Sequence, residues 1–110
     1  MTNRDIVLEY LTCFCKGDIS GVEAVLALDF QLTGPLHTFK SRDEYIQSLR
    51  ENPPKPSRYE ILEIAESETG ISVFYEYNKP SGCLTIAQFF KLRGEKICEI
   101  LLVFDTKNFS

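Results

Sequence analysis

The last strand-like stretch of this chain is apolar on both of its alternating faces. Ile97, Cys98, Ile100, Leu101, Leu102, Val103 and Phe104 are interrupted only by Glu99. A strand hidden on both sides needs a cover on each. Within 110 residues the chain supplies three short amphipathic helices, enough for one face. The other face is expected to meet a second copy of the chain. The expected product is a curved sheet with a helix-capped hollow inside and a homodimer surface outside.

Length fits one domain spanning residues 1–110, with a core that needs no staples. The net charge is −4 and the basic residues are scattered, which argues against a surface for phosphate backbones, so no nucleic acid is expected. The opening Met1–Asp5 has no basic region followed by an apolar stretch. No apolar run approaches the ~20 residues of a membrane span. A cytoplasmic protein without membrane contact is expected. Cys13, Cys15, Cys83 and Cys98 lack CxxC spacing and mostly sit in apolar segments, so they read as reduced core thiols. No glycine-rich phosphate loop, nucleophile elbow or HExxH occurs, and there is one histidine, so neither cofactor nor metal is implied.

The spacing of Ile6, Tyr10, Cys13 and Phe14 predicts a helix from about Asn3 to Cys15, capped by Thr2 with Asp5, or by Asn3, and stopped by Gly17. A second helix, capped by Asp18 or Ser20, is expected to carry Val22, Val25, Leu26 and Leu28. Phe30–Thr33 alternates like a short strand, broken at Gly34-Pro35, and Leu36–Lys40 is a second extended piece. Ser41-Arg42-Asp43-Glu44 has the form of a capping box for a third helix that places Tyr45, Ile46 and Leu49 on one side, ended by the prolines after Asn52. From Tyr59 the period changes to two. Three hairpins, turning at Ser67–Gly70, Lys79–Gly82 and Arg93–Glu95, give an antiparallel meander ending in strands Leu84–Leu92 and Lys96–Asp105. Helices followed by strands make an α+β domain.

The stretches YLTCFCKGDISGVEAVLALDFQLTGP, HTFKSRDEYIQSL and ICEILLVFDTKNF resemble the nuclear transport factor 2-like cone, in its SnoaL-like, ketosteroid isomerase-like branch. The resemblance spans nearly the whole chain. It implies three N-terminal helices packed in a curved, mixed but mainly antiparallel sheet of about six strands, usually as a homodimer. It places Tyr10, Phe14, Phe30, Leu32, Val73, Tyr75, Tyr77, Ile86, Gln88, Phe90, Ile100, Leu102 and Phe104 on the pocket side. Phe74, Phe89, Leu101 and Val103 fall on the dimer side.

In ketosteroid isomerase a tyrosine and a protonated acid hold the developing oxyanion while a carboxylate moves the proton. The resemblance puts Tyr10 at the tyrosine position and Gln88 at that of the acid. The base is expected immediately before the proline of the strand break, and that residue here is Gly34. A missing general base typically forfeits about 10²–10⁴ in rate. The leading reading is therefore a cone that binds an apolar, aromatic or polycyclic, carbonyl-bearing small molecule with little or no turnover. An isomerase, cyclase or dehydratase using Tyr10 and Gln88 as electrophiles, with His37 or water as base, is the alternative. A dimeric protein-interaction module is a third. Tyr10 also reads as a core tyrosine whose hydroxyl finds one partner, Gln88 as a buried amide bonded to a strand neighbour or a tyrosine, and His37 as a solvated loop residue.

Overall fold

Thr2 and Asp5 open the first helix reciprocally. The Thr2 hydroxyl accepts from Asp5 N, and the Asp5 carboxylate accepts from Thr2 N, each at 3.1 Å. In the computed structural model, which describes residues 1–108, this helix, α1, spans Asn3–Lys16. Phe109, within the last stretch quoted above, lies outside the described residues. Gly17 ends α1 at φ 77°, the left-handed conformation in which a side chain is strained. The Asp18 carboxylate caps α2 (Ile19–Ala24) by accepting from Gly21 N.

The second helix stops short of Val25, Leu26 and Leu28, contrary to the expectation from their spacing. The Val25 carbonyl instead accepts from Ile97 N at 2.8 Å, and strand β1 starts at Leu26 and runs to Thr33. That strand carries an irregularity between Leu26 and Gln31, and Leu28 faces water there. A turn closed by Gly34 N donating to the His37 carbonyl leads to β2 (Thr38–Phe39). The Ser41 hydroxyl caps α3 (Arg42–Glu51), which buries Tyr45, Ile46 and Leu49.

The meander follows: β3 (Arg58–Glu66), β4 (Ile71–Lys79), β5 (Gly82–Arg93) and β6 (Lys96–Phe104), then a 3₁₀ turn at Thr106–Asn108. The sheet has six strands in the order β2-β1-β6-β5-β4-β3. Only the β1–β6 pairing is parallel; the rest are antiparallel. The expected α+β cone is therefore present, with helices against the concave face.

The core lies at one end of that face. Phe30, Val73, Phe90, Ile97 and Ile100 are completely buried there, joined by Ile6, Val7 and Leu11 of α1. Each aromatic ring so buried stabilises by roughly 1.5–3 kcal/mol relative to exposure. The convex face is different. Phe74, Leu101 and Val103 stay 43%, 45% and 53% exposed, beside half-buried Phe89. Cross-strand registers join them, Phe74 to Ala87 to Val103 and Phe89 to Leu101. Of the thiols, Cys13 and Cys15 are buried, Cys98 is half-buried and Cys83 is exposed, so the core reading fits only the first two. No helix among the described residues is long and apolar enough to cross a membrane.

Candidate functional site

Beyond the packed end, the concave face opens into a cavity of about 550 Å³. Cavities of this size hold small organic molecules. Tyr10, Phe14 and Cys15 enter it from α1, and Tyr45, Ser48 and Leu49 from α3. The strands contribute Leu32, Phe39, Tyr75, Tyr77, Leu84, Ile86, Gln88, Leu102 and Phe104. Period two explains the strand set, since alternate residues of β4, β5 and β6 point inward together.

The polar groups at the inner end form one network. The Tyr10 and Tyr45 hydroxyl oxygens are 2.6 Å apart, and Tyr75 donates to Gln88 Oε1 at 2.6 Å. Tyr45 and then Gln88 act to favour the ionised Tyr10 phenol. Burial dominates, and it pushes the Tyr10 pKa up to about 12. Tyr45 and Tyr75 are raised well above the usual tyrosine range, first by burial and then by the neighbouring Tyr10. All three phenols are therefore neutral donors at physiological pH. Nearer the mouth, burial also raises Tyr77 and Cys15.

The aromatic rings support the network from behind. Tyr10 meets Phe90 edge-on at 5.6 Å and stacks on Phe14 at 6.1 Å; Tyr45 contacts Phe30 at 5.4 Å and Phe39 at 5.3 Å.

Tyr10 and Gln88 both face this cavity, and Phe14, Leu32, Tyr75, Tyr77, Ile86, Leu102 and Phe104 line it with them. Phe30, Val73, Phe90 and Ile100 do not. They share the inward face but lie deeper along the strands, fully buried where the helices seat on the sheet. His37 is exposed on the mouth, its ring 6.0 Å from Phe39. Gly34 also lines the cavity, and a Cβ added there would stand 3.6 Å from Leu102 Cδ2. Gly34 therefore brings no titratable side chain to the place where the resemblance expects a base.

Tyr45 is the network member that sequence reading missed. It fell on the apolar stripe of α3, and the available signal was a tyrosine where leucine or phenylalanine would pack as well, which asks for a hydroxyl partner. Lys55 and Lys79 also line the cavity, from a loop and a strand end that carry no periodic signal.

The SnoaL-like domain family model matches residues 7–100. An NTF2-like protein of unknown function from Cytophaga hutchinsonii superposes with a TM-score of 0.84 at 18% identity, over 97% of this chain and 93% of its own. A putative ketosteroid isomerase from Kribbella flavida gives 0.80 at 12% identity, over 94% and 77%. A protein with a ketosteroid isomerase-like fold from Catenulispora acidiphila, in complex with trimethylamine, gives 0.76 at 14% identity, over 92% and 85%. At these identities the likeness is one of fold. Among proteins of curated function, no sequence matches the chain.

Proposed function

The chain belongs to the SnoaL-like domain family, and on that premise we propose that its cavity binds a flat, mostly apolar small molecule bearing a carbonyl or phenolic oxygen, without turning it over. A proton count carries this reading. Tyr75 gives its proton to Gln88, and Tyr10 and Tyr45 share one hydrogen bond between two hydroxyls. One O–H of that pair is left to give away. Tyr10 and Tyr45 both line the cavity, so whichever of them holds the spare proton presents it there. A buried donor without an acceptor is costly, so a ligand oxygen is its natural partner.

Catalysis needs a further group to take a proton, and Gly34 supplies none. His37 lines the mouth, which favours the histidine version of the enzyme reading over one without a base. A proton-transfer activity on an enone that disappears in His37→Ala supports that version; full retention excludes it.

Binding is tested with a panel of aromatic and polycyclic ketones and phenols, followed by thermal shift and calorimetry. Tyr10→Phe is expected to weaken the best binder by about fivefold, the scale of one neutral hydrogen bond. A panel that produces no shift at all refutes the proposal.

Self-association through the convex face accompanies this reading. The exposed Phe74 of β4 and Leu101 and Val103 of β6, bridged by Ala87 and Phe89 of β5, form a continuous apolar patch, a surface that water-facing monomers rarely keep. Leu101→Glu should convert a sedimenting dimer to a monomer while leaving ligand affinity unchanged. A wild-type chain that sediments as a monomer removes the dimer.

A further inference from the structure

The charged side chains that line the cavity have the opposite sign to the chain as a whole. The sequence holds 16 acidic and 12 basic residues. Among the described residues, however, no Asp or Glu lines the cavity, whereas Lys55 and Lys79 both do. They approach from different walls. Lys55 stands in the Asn52–Pro56 segment after α3, between prolines that restrict its backbone; Lys79 is the last residue of β4. His37 stands on a third side.

The inner end offers the reverse chemistry. Its donors are neutral phenols and an amide, held away from water. Between the two ends lie hydrocarbon and aromatic walls, including Phe14, Ile86, Leu102 and Phe104. The cavity is therefore graded: neutral hydrogen-bond donors inside, an apolar middle, cations outside.

We propose that the ligand is an amphipathic organic acid, a ring system that enters with its neutral oxygen and leaves a carboxylate at the mouth. This rests on the binding reading above and adds the ligand's charge class and its orientation. The orientation follows from hydration. A carboxylate driven to the inner end would lose its water and meet only neutral donors, the costly way to bury a charge. At the mouth it keeps water and gains the lysines. A cationic ligand such as the amine held by a relative of the same fold would find aromatic faces but no carboxylate in this lining.

Titration calorimetry on the whole chain tests the proposal with three matched probes: a hydroxynaphthoic acid bearing its groups on opposite rings, its methyl ester, and the corresponding aminomethyl naphthol. The acid is expected to bind about fivefold tighter than the ester at low salt, the scale of partly exposed ion pairs, and to lose that preference at high salt. Lys55 is exposed and Lys79 half-buried at the end of β4; Lys55→Gln and Lys79→Gln keep most of the side-chain length, and a thermal melt of each checks that it folds like the parent. Each should weaken the acid about two- to fivefold and leave the ester unchanged. Tyr10→Phe should weaken acid and ester by the same factor, because both present a hydroxyl to the inner end. Equal affinity for acid and ester, or tightest binding of the amine, overturns this inference and leaves the binding reading standing. Failure of all three probes to bind overturns both.

Discussion

The closed end and the mouth of the cone are built on the same strands, yet one is solid and the other hollow. At the closed end the register aligns Ile71, Phe90 and Ile100 across β4, β5 and β6, with Leu32 of β1 beside Ile100. One step outward, Val73, Gln88 and Leu102 align; a further step brings Tyr75, Ile86 and Phe104. The first row is aliphatic and aromatic, with Phe90 and Ile100 completely buried and Leu32 at its boundary with the cavity. The middle row admits one amide, and the outer row surrounds open space. Stability is thus concentrated where nothing can bind, and the cavity is left free to trade packing for recognition. Side chains of the same type should differ in worth between the two ends.

Phenylalanine truncation measures that difference most directly. Phe90→Ala at the closed end should cost about 3–5 kcal/mol in denaturant unfolding, because its completely buried ring leaves a void that close-packed neighbours cannot fill. Phe14→Ala on the cavity wall should cost about 1 kcal/mol, since its half-buried ring faces existing space and alanine favours the helix. Comparable losses at both positions would mean that the mouth collapses as tightly as the base, and that the hollow is not kept open by the fold.

Alkaline pH should distinguish the ends by titration. The Tyr10 pKa lies at about 12 when folded, against an ordinary value of 10. A tyrosine raised in this way binds its proton more tightly in the native state. Its contribution is fully present below pH 10 and is lost as pH rises through 12. Two units correspond to about 2–3 kcal/mol, with Tyr45 and Tyr75 acting in the same direction. Absorbance of phenolate should therefore rise for these residues only with unfolding. Tyrosine ionisation complete by pH 10.5, in chain that is still folded, would show water at the inner end.

How far sequence reading reached follows the same division. Face parity was legible: period two placed Tyr75, Tyr77, Ile86, Gln88, Leu102 and Phe104 on the inner side, and all line the cavity. Depth along a strand was not. Phe30, Val73, Phe90 and Ile100 obey the same parity, and only the seating of α1 and α3 decides that they fill the base. The Leu26–Leu28 stretch illustrates a second limit. Its apolar spacing suits a helix as well as a strand, and a single bond from Ile97 N to the Val25 carbonyl, some seventy residues apart in sequence, selects the strand. The lysines at the mouth belong to a loop and a strand end, whose positions around an opening no periodicity encodes.

The smallest change expected in stability is at Gly34. The residue has no positive φ, and a Cβ would meet the His37 carbonyl at 3.4 Å and Leu102 at ordinary contact distance. Gly34→Ala should therefore alter unfolding by less than about 0.5 kcal/mol, with the bond from Gly34 N to the His37 carbonyl retained. That neutrality makes Gly34→Asp informative. Its carboxylate would bring negative charge into a lining that has none, at the position where the isomerases of this fold keep their base. If the inner network is a competent oxyanion site that lacks only a base, Gly34→Asp should gain slow isomerisation of an enone substrate, measured by absorbance, and lose it again with Tyr10→Phe. If the variant folds, still binds the enone and shows no turnover, the spare hydroxyl proton is not aimed at a reacting oxygen, and the inner end serves recognition alone.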